Sequence, residues 1–127
     1  MGIKVLFLMF LMHIIDDFVF QPICLSKLKQ KSWWEKNIEN KEELKKYEGD
    51  HITALIIHAL SWAIMIHLPM FLIAGDIPLV ISIIVNMFIH CVVDDLKANY
   101  KIINLTQDQT IHIIQITITY MIFALIY

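Results

Sequence analysis

Four long apolar runs, separated by polar breaks, set the pattern of this chain. The first, Ile3 to Phe20, is interrupted only by Lys4, His13, Asp16 and Asp17; Ile52 to Ala74 is the longest and cleanest, followed by Ile77 to Val93 and Ile111 to Tyr127. Each approaches the roughly 20 residues a spanning helix needs, the last two with help from polar flanking turns. Helices of a soluble bundle keep a polar face, which these runs mostly lack. The pattern predicts an all-α, polytopic integral membrane protein: one domain with four transmembrane helices as two helical hairpins, over about 3–21, 51–74, 77–97 and 107–127. Terminus signals agree with these breaks. Asp50 after Gly49 is placed to cap the second helix, Asp76 precedes Ile77-Pro78, and Thr106 to Gln109 has capping-box spacing.

The long polar segment, Ser26 to Asp50, holds seven Lys and six acidic residues. Lysine bias rather than net charge orients membrane proteins. Nine of the ten lysines, including Lys97 and Lys101, fall on one side of a four-span topology and only Lys4 on the other. The expectation is residence in the cell (inner) membrane, with the polar linker 26–50 and the helix 3–4 loop cytoplasmic and both termini outside. Trp33, Trp34, Ile38, Leu44 and Tyr47 fit an amphipathic stretch at the interface, or equally a solvated linker. The lipid bilayer is the expected partner; self-association is left open.

Composition agrees. Of 127 residues 58% are hydrophobic and 17% charged, with a net charge of −2, which gives no basic face for nucleic acid. Every Lys/Arg-type basic residue is Lys; with abundant Ile, this suggests the coding bias of an AT-rich bacterial or phage genome. Cys24 and Cys91 have no metal-ligand spacing. The start resembles a signal peptide, but the apolar run continues into HIIDDFVFQ without a small-residue cleavage site, predicting a retained helix.

The ionisable residues inside the apolar runs carry the functional signal, because each costs roughly 2.5–3.5 kcal/mol at mid-bilayer on insertion scales. His13, Asp16, Asp17 and Gln21 close the first helix; His51 and His58 lie in the first part of the second; Asn86, His90, Asp94, Asp95 and Lys97 close the third; Asp108, Gln109 and His112 open the fourth. An alternating topology brings all of them to one leaflet. His13/Asp17, His90/Asp94 and Asp108/His112 are each four apart, hence on one helix face. At about 100° per residue Asp16 lies off the Asp17 stripe and Asp95 off the Asp94 stripe, so Asp17 and Asp94 rank first. HIIDDF in the first helix is echoed by HCVVDDL in the third, and each hairpin returns with a His, as a parallel repeat would.

Three readings follow. In the first, His13, Asp17, His58, His90, Asp94 and His112 hold a divalent metal, Zn or Mn, with Asp108 as general base and Lys97 contacting an anionic group. The chemistry would be metal-dependent hydrolysis of a lipid-linked or phosphorylated substrate. The second is proton or ion conduction; it lacks polar residues beyond mid-helix other than His67 and scattered hydroxyls. The third is a non-enzymatic bacterial or phage membrane effector or assembly protein with structural His–Asp pairs. His67 receives the structural reading.

The ordered set His13-Ile-Ile-Asp-Asp17-Phe18-Val-Phe-Gln21, Lys27, His58, Asn86-x-x-x-His90-x-x-x-Asp94-x-x-Lys97 and Asp108-Gln109-x-x-His112 resembles the bacterial and phage family catalogued as domain of unknown function 3307. The resemblance covers all four helices and leaves out the Lys/Glu-rich linker. It implies a small integral membrane protein and the same choice of positions, without a reaction. The doubled Asp in both motifs departs from the family pattern.

Overall fold

The computed structural model describes residues 2–127, and every regular element among them is helical. Helix α1 (Ile3–Ile14) runs directly into a π-helical turn over Ile15–Phe20. A strap of three short helices follows: α2 (Ile23–Leu28), α3 (Lys31–Asn37) and α4 (Lys41–Lys46). Then come α5 (Asp50–His67), α6 (Asp76–Ala98) and α7 (Leu105–Ile126). Helix α1 packs against α5 and α7, α5 against α6, and α6 against α7, closing a four-membered ring.

Three helical segments are long and apolar enough to cross a membrane: Lys41–Met70, Asp76–Ala98 and Leu105–Ile126. At 1.5 Å per residue, α6 and α7 reach the roughly 30 Å of a hydrocarbon core. Ile3–Phe20 is as apolar but carries Lys4, Asp16 and Asp17 within 18 residues, so three spans stand on length and composition where four were expected.

Several ends differ from expectation. Asn104 caps α7, accepting from the Gln107 backbone N–H at 3.0 Å while Gln107 reciprocates at 2.9 Å. The capping box is therefore Asn104–Gln107 rather than Thr106–Gln109, and Gln109 is released to face the interior. Asp50 and Asp76 sit in first turns without side-chain cap bonds; Gly49 and Gly75 hold the cap positions. Gly49 adopts φ of 92°, a left-handed value glycine takes without steric cost. Helix α5 ends at His67, short of the expected Ala74, because Pro69 has no N–H to continue the ladder and a 3-10 turn over Leu68–Met70 takes its place.

The ring is polar inside and apolar outside. Its buried residues are twelve polar or charged and twelve hydrophobic, whereas Ile77, Ile81, Phe88, Ile118 and Leu125 stand exposed on α6 and α7. Met9, Trp62, Ile66, Met70, Ile116 and Phe123 fill the half of the ring beyond Trp62. Buried Ala54, Ala59 and Ala63 on α5 let neighbouring backbones approach closely.

Candidate metal centre

The other half of the ring holds the His/Asp cluster. It begins at the π-helical turn, where the Gln21 N–H reaches back five residues to the Asp16 carbonyl at 2.9 Å. A π-turn has more residues per turn than an α-turn, so successive side chains are separated by less than the usual angle. Asp16 and Asp17 therefore both face the interior: Asp16 is 2% exposed and the Asp17 side chain 8%. Placing Asp16 off the stripe on regular α-helical geometry is corrected to this extent. Asp16 accepts from the Ser61 hydroxyl at 2.6 Å, while Asp17 turns toward the histidines.

Four elements deliver the cluster. His58 Nε2 lies 3.4 Å from Asp17 Oδ1 and 3.5 Å from Asp94 Oδ2. His90 Nε2 and His112 Nε2 lie 3.7 and 3.6 Å from Asp94 Oδ1, and His112 Nε2 is 3.4 Å from Asp108 Oδ1. Two three-residue sets have donor atoms within 4.8 Å of one another: Asp17, His58 and His90; and His90, Asp94 and His112. These sets could hold a metal ion.

The separations decide what the cluster is suited to. An N–H···O hydrogen bond spans about 2.7–3.2 Å. Donor atoms around a tetrahedral ion with arms of about 2.0–2.1 Å stand about 3.3–3.4 Å apart. The His–Asp distances lie at or just above the second value. Both ring nitrogens of His90 and of His112, which are fully buried, have no hydrogen-bond partner, and neither do Asp17 Oδ1 and Asp108 Oδ1. Unpaired buried polar atoms cost about 1–3 kcal/mol each, and a cation held among them could satisfy several at once. Formal charge agrees: the carboxylates of Asp16, Asp17, Asp94 and Asp108 outnumber the ammonium groups of Lys29 and Lys97 by two.

His13 is drawn out of the expected ligand set. Its Nδ1 accepts from the Trp62 indole N–H at 2.7 Å, so in the neutral ring Nε2 carries the proton and no lone pair remains for a metal. The same bond means that the 3.6 Å approach of His13 Nδ1 to Asp17 is a contact without a shared proton. Lys97 and Asp108, expected as anion contact and base, bond to each other at 2.5 Å. Asp95 faces away and accepts from Asn99 at 2.6 Å. His51 lies beside the strap with Trp34 and Tyr47, outside the cluster.

Two participants were not singled out from the sequence. Lys29, on the turn after α2, is 5% exposed and donates to Asp94 Oδ2 at 2.5 Å. Asn99 positions it, donating to the Lys29 carbonyl at 3.0 Å and accepting from the Lys31 N–H at 2.7 Å. The linker therefore contributes to the site instead of merely joining helices. No local pattern distinguishes Lys29 from its six neighbours in the strap. Trp62 floors the cluster, stacking on His90 at 4.2 Å between centroids, with His90 in turn stacked on His112 at 4.1 Å. Its spacing of one helical turn from His58 was a usable signal.

Beyond Trp62 a polar ladder continues through His67 and the Ser82 and Thr119 hydroxyls expected there, joined by Asn86 and Gln115. Gln115 and Thr119 donate to Asn86 Oδ1 at 2.9 and 3.1 Å, Asn86 donates to the Ser82 carbonyl at 3.0 Å, and His67 bonds Ser82 at 2.8 Å and the Ala63 carbonyl at 2.7 Å. Antiparallel packing of α5 on α6 places His67 opposite the start of α6, giving it a structural role.

Comparison with protein-family models, curated proteins and solved structures finds no match to this chain.

Proposed function

We propose that this chain is an integral membrane protein of four spanning helices, arranged as two hairpins, that holds a divalent metal ion among Asp17, His58, His90, Asp94 and His112 and uses it for hydrolysis. Membrane residence is supported by three apolar helices and by a surface more apolar than the interior is. The resemblance to domain of unknown function 3307 agrees with this reading and rests on the order of residues alone. Orientation follows the lysines: strap and α6–α7 turn cytoplasmic, termini outside, in the cell membrane.

The observation that carries the metal reading is the pair of stacked, fully buried imidazoles whose four nitrogens lack hydrogen-bond partners beside Asp94. A divalent ion held by Asp17, His58, His90, Asp94 and His112 would supply an activated water and Lewis acidity at neutral pH. The chain's own groups do the rest. Lys29 and Lys97 hold Asp94 and Asp108 in place, Asp108 Oδ1 accepts a proton beside His112, and Trp62 closes the floor against water. Imidazole and carboxylate donors suit Zn²⁺ or Mn²⁺.

Elemental analysis of the detergent-purified protein is the test, with an expected content near one divalent ion per chain. Metal-free protein that takes up neither added Zn²⁺ nor added Mn²⁺ sinks the reading and leaves a structural polar core. Orientation has a native reporter in exposed Cys24. In a Cys91→Ser background, an impermeant maleimide should fail to label Cys24 in intact cells; labelling would reverse the topology.

A further inference from the structure

A cleft of about 380 Å³ opens directly onto the metal centre at the lysine-rich end of the ring. Its lining includes Asp17, Gln21, Lys29, Lys97, Lys101 and Gln109. Asp17 belongs to the centre itself, while Lys29 and Lys97 bond Asp94 and Asp108. The cleft is thus the entrance to the cluster, and its size falls within the range of small-ligand pockets.

Three lysines meet at this entrance, but they are not equivalent. Lys29 and Lys97 are engaged with carboxylates, whereas Lys101 is exposed and forms no ion pair among the described residues. Lys101 is also the one non-glycine residue among them with positive φ, 56°. It follows α6 at a place where the chain turns: the Ile102 N–H bonds back to the Leu96 carbonyl at 3.0 Å and the Tyr100 N–H to the Asp95 carbonyl at 3.2 Å. Glycine is the ordinary residue for such a left-handed position. A lysine held there against backbone preference places its charge at the cleft.

Charge decides what the cleft accepts. The buried cluster carries a formal excess of two negative charges, so it repels anions when metal-free. A divalent ion cancels that excess and leaves the Lys101 ammonium as the uncompensated charge at the mouth. We infer that the cleft binds the phosphate group of a phosphorylated substrate, with Lys101 as the recruiting cation and Lys97 and Gln109 as polar wall. This deepens the metal-centre reading, on which its metal dependence rests. The shared chemistry is a terminal phosphate group, which a lipid headgroup or a soluble phosphate could supply.

The test measures affinity on the full chain in detergent, with metal content determined on each sample. Inorganic phosphate and mixed micelles containing phosphatidate are titrated into wild type, Lys101→Gln and Lys101→Gly. Lys101→Gly relieves the backbone constraint, so a loss of binding in it cannot be assigned to misfolding. The expected result is phosphate or phosphatidate binding to metal-loaded protein, weakened about tenfold in both variants and again by chelation. Tighter binding to phosphatidate names a lipid source, and equal or tighter binding to inorganic phosphate a soluble one. No binding of either ligand to metal-loaded wild type, or wild-type affinity retained in both variants, overturns the inference. Protein that lacks metal yet binds phosphate through Lys101 overturns the metal centre and keeps the cleft; protein that binds neither overturns both.

Discussion

Two polar regions lie end to end inside the same ring of helices, and they solve the problem of burial in opposite ways. The ladder of His67, Ser82, Asn86, Gln115 and Thr119 is closed by hydrogen bonds of 2.7–3.1 Å along its length; Gln115 Oε1 is its one buried atom without a partner. In the His/Asp cluster seven buried side-chain atoms lack one, and its imidazoles stand 3.4–3.8 Å from the carboxylates. The ladder is what structural polar contacts between membrane helices look like: modest in strength and mutually saturating. The cluster has the same ingredients without the saturation. Burial of polar groups therefore does not separate the two regions, whereas the distribution of unpaired donor atoms does.

That contrast can be broken experimentally. The largest effect is expected at Lys29, whose removal takes the 2.5 Å partner from buried Asp94 and leaves only the longer 3.9 Å approach of Lys97. Lys29→Met should destabilise the metal-free protein by about 3–5 kcal/mol, as measured by thermal or denaturant unfolding in detergent. Added metal should recover part of that loss, and equal destabilisation with and without metal would argue against a shared carboxylate. Next is His90→Phe, which preserves a stacking ring on Trp62. It should lower metal affinity by about a hundredfold or more, beyond the 10–100-fold typical of outer-shell changes, in a competition titration. Because the His90 nitrogens bond nothing, metal-free stability should hold or rise; a marked fall would mean that the cluster is structural.

Asn86→Leu makes the opposite prediction for the ladder. Thr119 loses its acceptor and Gln115 one of two, keeping the residue-86 backbone carbonyl at 2.9 Å, for a cost of about 1–3 kcal/mol, while metal content stays at the wild-type value. Loss of metal in this variant would merge the two regions into one. Smallest in its effect on the metal is Trp62→Phe, which removes the hydrogen bond to His13, worth about 1 kcal/mol, and leaves a gap where the buried indole packs on His90. It frees the His13 lone pair, so Co²⁺-substituted protein should show a changed ligand-field spectrum. An unchanged spectrum would show that His13 cannot reach the metal even when released.

Much of this arrangement was legible along the chain. The apolar runs are long enough to name the helices, and spacing of four residues pairs His90 with Asp94 and Asp108 with His112, because both depend only on helical period. His58 was placed correctly at the cluster's level by counting along alternating helices. What spacing could not supply was the local geometry at α1, where regular turns separate Asp16 from Asp17 and the π-turn brings both inward. Nor could it supply Lys29, which is one of seven lysines in a polar strap and reaches Asp94 across 65 residues of chain. His13 shows the same limit from the other side: its spacing to Asp17 is that of a ligand pair, yet an indole from another helix takes its lone pair.

The sequence by itself determined that the chain is helical, that its long helices are apolar, and that most of the His and Asp residues in its apolar runs, His67 apart, gather at one end, since these follow from periodicity and hydropathy. Tertiary structure alone decided which of those residues keep free donor atoms, which are satisfied by neighbours, and which lysines stand over them. Hydrogen bonds and ion pairs are made between side chains far apart in sequence, at separations where a few tenths of an ångström distinguish a closed bond from an open ligand.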